Sequence, residues 1–231
     1  MMLRKRLSEK LMSSTCVLLL CVAMLAPAGA GPAEAADEPE WRDLFDGKTL
    51  TGWKQLGGDA NYRVQDGAIV GSSSNEGGNS FLCTEETFGD FVLELEFKVH
   101  PNLNSGVQIR SESREQYRNG RVHGYQVEID PSDRAWTGGI YDESRRGWIA
   151  DLKDNPEARK AFKQGEWNLF RIEAIGDKIR TWVNGVPAAD LTDSMTARGF
   201  IALQVHGTEQ DDPMEVRWRK IRIQDLSKDK P

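Results

Sequence analysis

Three short segments each carry a glutamine followed two residues later by a charged or ionisable residue: Gln108 and Arg110, Gln126 and Glu128, Gln204 and His206. A spacing of two puts both members on one face of a β-strand, because successive side chains point to opposite sides. Each amide offers a donor and an acceptor, a carboxylate can take a proton, an imidazole can give one, and a guanidinium can hold an oxyanion. Asp130, two residues past Glu128, adds a second carboxylate to that face. Such a set suits a ligand dense in hydroxyl groups. Trp136, Trp148 and Trp182 could add rings that stack on the apolar face of a sugar.

The segments that must position these groups read as strands. Val107 and Ile109, then Tyr125, Val127 and Ile129, then Ile201, Leu203 and Val205 are the apolar alternates, which leaves the amides and ionisable residues opposite. Phe91, Leu93, Leu95, Phe97 and Val99 alternate with Val92, Glu94, Glu96 and Lys98 in the same manner. Asp66-Gly67, Gly176-Asp177 and Asn184-Gly185 are two-residue hairpin turns. The apolar phase slips between Trp218 and Ile221, which predicts a bulge. Many short strands at even spacing predict an all-β fold, a two-sheet antiparallel β-sandwich or jelly roll. Residues 142–165 break the pattern, being charged and non-alternating. They predict an insertion with one short helix over 156–162, capped by Asn155 and opened by Pro156. An insertion of that length is expected to lie across the mouth of the polar face, bringing Arg145, Arg146 or Trp148 to it.

Arg4, Lys5, Arg6 and Lys10 precede an apolar run over 11–26, Pro27 and a series of small residues. That order predicts a signal peptide over 1–36, an exported protein (periplasmic or extracellular) and no integral membrane span once the signal is removed. Residues 37–231 then form one domain. Removing the four basic and two acidic residues of 1–36 from the 30 and 36 of the whole chain leaves a net charge of −8. An acidic surface argues against a nucleic-acid partner. Cys16 and Cys21 leave with the signal, so Cys83 stands alone in an apolar run and is expected to be a core thiol.

Ser105-Gly106-Val107-Gln108-Ile109-Arg110, His123-Gly124-Tyr125-Gln126-Val127-Glu128-Ile129-Asp130, Gly138-Gly139-Ile140-Tyr141-Asp142, Trp182-Val183-Asn184-Gly185 and Leu203-Gln204-Val205-His206-Gly207 occur in that order. With these blocks the chain resembles the 3-keto-disaccharide hydrolase family, over essentially all of 41–223. The resemblance implies a fold like that of concanavalin-A-like lectins and glucanases, and a carbohydrate substrate. It also implies a chemistry: a base removes the acidic hydrogen on carbon 2 of a sugar oxidised at carbon 3, the group on carbon 1 leaves, and water adds back. On this reading Glu128 is the base, Arg110 and Gln126 hold the enolate oxygen, and His206 or His123 protonates the leaving oxygen. Gln108, Gln126, Asp130, Tyr141, Asp142, Arg145, Arg146, Trp148 and Gln204 are the expected sugar contacts. A divalent metal on Glu128, Asp130 and His206 is a further possibility, without a Cys/His spacing to mark it.

Two other readings stay open at this level. A glucanase of the same fold places catalytic carboxylates in a Glu-x-Asp-x-x-Glu strand. Glu128-Ile129-Asp130 begins that pattern, but Pro131 interrupts it and Asp133 stands in the last position. A sugar-binding module without catalysis would use the same polar face.

Overall fold

The computed structural model describes residues 40–227, so the expected signal segment lies outside the described residues. Two antiparallel sheets face each other. The back sheet runs β13 (Val186–Thr192), β12 (Lys178–Val183), β11 (Asn168–Ile175), β6 (Phe91–Val99), β15 (Glu215–Asp225), β4 (Ala68–Ser72) and β3 (Asn61–Gln65), with β1 (Arg42–Asp43) also pairing with β15. The front sheet runs β10 (Gly147–Ala150), β9 (Ile140–Glu143), β8 (His123–Ile129), β7 (Ser105–Glu112), β14 (Phe200–Val205), β5 (Ser80–Thr84) and β2 (Trp53–Leu56).

Alternation builds the core between the sheets. Leu93, Leu95, Phe97, Phe170, Ile172 and Trp218 of the back sheet meet Val107, Ile109, Tyr125, Val127, Leu203 and Val205 of the front sheet, all at most 1% exposed. Phe97 and Phe170 stand 4.4 Å apart between ring centroids. Each such ring contributes about 1.5–3 kcal/mol by leaving water. The turns follow the sequence: Asp66 and Gly67 both have positive φ, as do Asn184 and Gly185, which is the twist a two-residue hairpin needs. The expected bulge is present, as a register shift between Arg219 and Arg222 with Lys220 at φ 51. Cys83 is buried, and desolvation holds its thiol up at about 12, so it is inert packing.

The insertion brings Trp148 to the polar face, while Arg145 and Arg146 do not line it. Its first part continues as the β9–β10 hairpin and extends the front sheet by one edge strand. Its helix, α1 (Pro156–Ala161), is capped by Asn155, whose side chain accepts from the Ala158 amide. Asn155 also donates to the Pro187 and Ala188 carbonyls, and Phe162 stacks on Phe97 at 6.1 Å. The helix therefore closes one end of the sandwich beside β13.

Charged residues tie the two sheets together at their margins. Arg110 was expected on the polar face, but it takes φ 45 where β7 bulges against β8, between Ile109 and Glu112. The left-handed residue turns its side chain off the face. Its guanidinium donates to the Gly89 and Gly176 carbonyls, at 2.7 Å each, and to Asp90 at 2.9 Å, all on the back-sheet side. Asp142, Arg145 and Arg146 are corrected likewise. Asp142 pairs across β8 with Tyr125, a core position, and its fully buried carboxylate accepts from Arg145 and Arg146. Arg146 reaches on to Asp193 at 2.8 Å, Arg145 donates to Thr196 at 2.7 Å, and the Tyr125 hydroxyl donates to Asp193. These residues cross-link the frame and do not meet a ligand on the front face.

That network makes stability sensitive to acid. The Arg146 hydrogen bond, opposed by burial and aided by Tyr125 and the Met195 amide, holds the Asp193 carboxyl at about 2, against an ordinary 3.8. A depressed carboxyl stabilises the fold fully above its unfolded value and ceases to as pH falls through the folded one. The melting temperature should therefore drop between about pH 4 and about pH 2. Asp193→Asn should lose about 1–3 kcal/mol at neutral pH and show a shallower fall in acid, measured by circular dichroism at each pH.

Candidate active site

The outer face of the front sheet carries the site, and its floor is laid in cross-strand rows. Glu128 on β8 stands opposite Gly106 on β7, which stands opposite Gln204 on β14. The next row is Tyr141, Gln126, Gln108 and Ala202. Gly106 has to be glycine: a Cβ there would lie 2.6 Å from Cδ of Gln126, whose side chain runs over it. Towards β14 and β5 the same face turns apolar, with Phe81, Cys83, Phe200 and Ala202 buried together.

A directed chain of hydrogen bonds runs along this floor. The Ser111 hydroxyl donates to Gln108 Oε1 at 2.6 Å, Gln108 Nε2 donates to Gln126 Oε1 at 2.6 Å, and Gln126 Nε2 donates to Glu128 Oε2 at 2.8 Å. Asn104 Nδ2 donates to the other Glu128 oxygen at 2.7 Å. Glu128 is 5% exposed. Burial pushes its pKa up, the Asn104 and Gln126 donors pull it back, nearby Asp130 raises it and Arg134 lowers it. Burial prevails, and the carboxyl lies above the ordinary glutamate value of 4.5.

The walls come from loops and from the β9–β10 hairpin. Trp148 stands edge-on to Tyr141 at 5.3 Å and to Trp136 at 4.8 Å. Gly139 leaves room for it, since a Cβ there would come 3.1 Å from the Trp148 ring. Arg134 lies over both tryptophans, 5.2 Å from Trp136 and 4.8 Å from Trp148, with its Nη2 4.0 Å from Glu128 Oε1. Asp130 sets that loop. Its carboxylate accepts from the Ser132 hydroxyl, Arg134 Nε and the Trp136 amide, and these partners overcome its burial to hold its pKa low. Asp130 is thus a loop anchor two residues beyond the floor, consumed by its own contacts. The resulting cleft of about 500 Å³ is lined by Gln126, Glu128, Tyr141, Trp148, Gln204 and His206 from the expected set.

Gln108 lies beneath as a link in the chain to Glu128. His206 is exposed at the rim of the cleft, and its Nδ1 donates to the Gly207 carbonyl at 2.6 Å, which leaves Nε2 outside that bond. His123 does not join it. Its register opposite Glu112 places the ring at the sheet margin, against Tyr117 at 3.9 Å and with Nδ1 on the Arg121 carbonyl. It steadies the 113–121 loop, which sends Arg121 to the cleft. Trp182 sits on β12 of the back sheet, away from this face.

Asn79, Asn104, Arg121, Arg134 and Glu143 also line the cleft and escaped the sequence reading. Glu143 had a usable signal, since Gly139, Tyr141 and Glu143 alternate outward on one strand. The other four sit in loops, where no period marks them.

The suggested metal ligands do not make a metal site. Glu128 and Asp130 have their oxygens taken by N–H and O–H donors, His206 turns Nδ1 to a carbonyl, and no group of three or more His, Cys, Asp or Glu side chains among the described residues could hold an ion. Gln204 stands out for a different reason. It is 0% exposed, yet neither its Nε2 nor its Oε1 has a hydrogen-bond partner among the described residues. Leaving such groups unpaired costs about 1–3 kcal/mol.

Residues 40–224 match the 3-keto-alpha-glucoside-1,2-lyase-like domain, which is most of the chain and takes in every strand but for the last residue of β15. The chain belongs to this family. A curated relative, the 3-keto-disaccharide hydrolase of Bacteroides thetaiotaomicron, is 35% identical over 72 residues, a stretch covering 28% of this chain and 25% of that one. The chain thus aligns with about a quarter of that relative's length. Among solved structures, a Parabacteroides distasonis protein provisionally described as a glycosyl hydrolase superposes with a TM-score of 0.59 at 19% identity, over 81% of this chain and 94% of that one. A carbohydrate-binding module from Bacillus subtilis gives 0.56 at 18%, over 77% and 98%. These structural likenesses fix the sandwich fold of the family member. Among its described residues, no helix is long and apolar enough to cross a membrane.

The elevated Glu128 carboxyl is open to direct measurement. A carbon-detected NMR titration should place its midpoint above that of a free glutamate. Gln126→Leu, which removes one donor to the ionised form, should move the midpoint higher still, while an unchanged midpoint means that Gln126 does not stabilise the charge.

Proposed function

We propose that this protein cleaves glycosides oxidised at carbon 3, with Glu128 as the base. The observation that carries the reading is a buried carboxylate of raised pKa, gripped by two neutral amides on the floor of an aromatic-walled cleft. A proton on carbon 2 of such a sugar is acidified by the neighbouring ketone, so a carboxylate poised above its usual range is a suitable acceptor.

The steps balance without an outside redox partner. Glu128 takes the carbon-2 proton, the C–H electron pair becomes the C2–C3 double bond, and the ketone pair moves to the oxygen on carbon 3. The enolate then collapses. Its oxygen regains the carbonyl, a C1–C2 double bond forms, and the bond from carbon 1 to the leaving oxygen breaks. His206 Nε2, protonated, supplies that oxygen with a proton. Water then adds across the new double bond, hydroxyl to carbon 1 and hydrogen to carbon 2, which completes net hydrolysis. Arg134 and Arg121 bring positive charge to the cleft where the enolate forms. Trp148 and Tyr141 offer ring surface to the sugar.

The glucanase reading is less well supported, because Asp130 is committed to its loop and Asp133 follows Pro131 outside β8. We also place the protein outside the cytoplasm, on the basic head and apolar run of 1–36. N-terminal sequencing of the mature chain tests that placement.

Glu128→Gln keeps the shape and removes the base. Turnover of a 3-keto-glucoside should fall by at least about a hundredfold while binding persists, and the carbon-2 hydrogen should stop exchanging with heavy water. Full exchange in Glu128→Gln would move the base elsewhere, and loss of binding in a folded variant would make Glu128 a sugar-holding group.

A further inference from the structure

We infer that Gln204 is the group that reads the oxidised carbon, donating from Nε2 to the oxygen on carbon 3 and accepting at Oε1 from a neighbouring hydroxyl. The inference rests on the 3-keto-glycoside reading above and adds to it the residue that tells ketone from alcohol.

The case starts from the distribution of amides. Asn104 and Gln126 each donate to Glu128, and Gln108 donates to Gln126 while accepting from Ser111. Gln204 shares the same face, one strand beyond Gly106 in the row that ends at Glu128, and neither of its side-chain polar atoms is paired among the described residues. It lines the cleft while being buried, so bulk water does not serve it either. An amide with both polar atoms unpaired matches a ligand that presents an acceptor beside a donor. A ketone flanked by a hydroxyl is such a pair, whereas two adjacent hydroxyls can adapt to either sense of hydrogen bond.

Position fits the same chemistry. Adjacent strands lie about 4.8 Å apart, so the backbones under Glu128 and Gln204 are separated by about 10 Å. The Gln126 side chain lies over Gly106 between them and turns its Nε2 to Glu128. A base on one side of the floor and an oxygen donor on the other can flank carbons 2 and 3 of one ring. When the proton leaves carbon 2, negative charge gathers on the carbon-3 oxygen, so a fixed N–H aimed there is worth more to the enolate than to the ketone. Arg110, expected in that role, is held on the far side of the sheet.

The test uses methyl 3-keto-glucoside and methyl glucoside with the full mature chain. Carbon-2 exchange in heavy water is followed by NMR and binding by calorimetry. Gln204→Leu should slow exchange by about a hundredfold or more, the usual scale for losing one oxyanion donor. Gln204→Glu replaces the donor by a charge that opposes the enolate. It should slow exchange at least as much, yet keep binding of methyl glucoside within about threefold, since the hydroxyls still find an acceptor. A merely structural Gln204 would move both ligands together. If Gln204→Leu does not fold, Gln204→Asn withdraws the same amide by one methylene and should show the same loss. Exchange within about threefold of wild type in a folded Leu or Asn variant, or unimpaired exchange in Gln204→Glu, overturns the assignment and leaves the base reading intact. Absence of exchange in the wild-type protein overturns the keto-glycoside reading, and the Gln204 assignment with it.

Discussion

A carboxylate can be nine-tenths sunk into the outer face of a sheet only if its oxygens are paired, and the two amide donors on Glu128 are the interaction on which the rest of this site depends. Gln126 can make its bond because Gly106 clears the space and because Gln108 and Ser111 fix which end of each amide points where. The links from Ser111 to Gln126 are neutral hydrogen bonds, modest alone, and the order of the chain delivers a donor to the carboxylate and never a lone pair. The same chain holds the floor rigid, because turning any one amide would set acceptor against acceptor.

Several of the fold's formal charges are paired at the sheet margins, while Arg134 comes within 4.0 Å of Glu128. Arg110 ties the front sheet to the Gly89–Asp90 and Gly176 segments, and Asp142, Arg145, Arg146 and Asp193 do so at another margin. Asp130 and Arg134 set the loop that carries the tryptophan wall. These pairs are partly or fully shielded from water and mutually satisfied, so they specify how the sheets align more than they add to stability. The neutral donors on Glu128 have a chemical consequence. Had lysine or arginine replaced Asn104 and Gln126, a full positive charge would sit on Glu128 and drive its pKa down. Neutral amides hold the carboxylate in place and leave burial to set its basicity.

Alternation made much of this legible in the sequence. Gln126, Glu128 and Gln204 lie in strands whose apolar alternates are unbroken, and His206 directly follows β14, so their shared face could be read directly, and the structure brings all four to one cleft. The reading failed where the chain leaves the period of two. The Lys220 bulge was visible because apolar residues continue on both sides of it and change phase. The bulge at Arg110 falls at a strand end, with no apolar residue beyond it to reveal the inversion, so Arg110 was assigned to the wrong side. Asp142 was taken with Tyr141 as a neighbour, although the alternation that selects Tyr141 selects Glu143 instead. The loop residues Asn79, Asn104, Arg121 and Arg134 carry no periodic signal, and their place depends on turns that only the folded chain defines.

The contrast between Glu128 and Gln204 says what kind of surface this is. A face built only to hold sugar would be expected to pair its amides with one another and open hydroxyl-sized gaps, with no reason to isolate one carboxylate from water. Here two amides donate to a single carboxylate whose ionisation is made harder by burial, a third supports one of them, and a fourth is left with both polar atoms unpaired across the row. Both features disfavour the empty protein: the first destabilises a charge and the second leaves polar atoms unpaired. Selection for stability alone would remove each by an apolar exchange of similar volume. Their presence together on one floor, two strands apart, is the observation on which the proposed proton transfer rests.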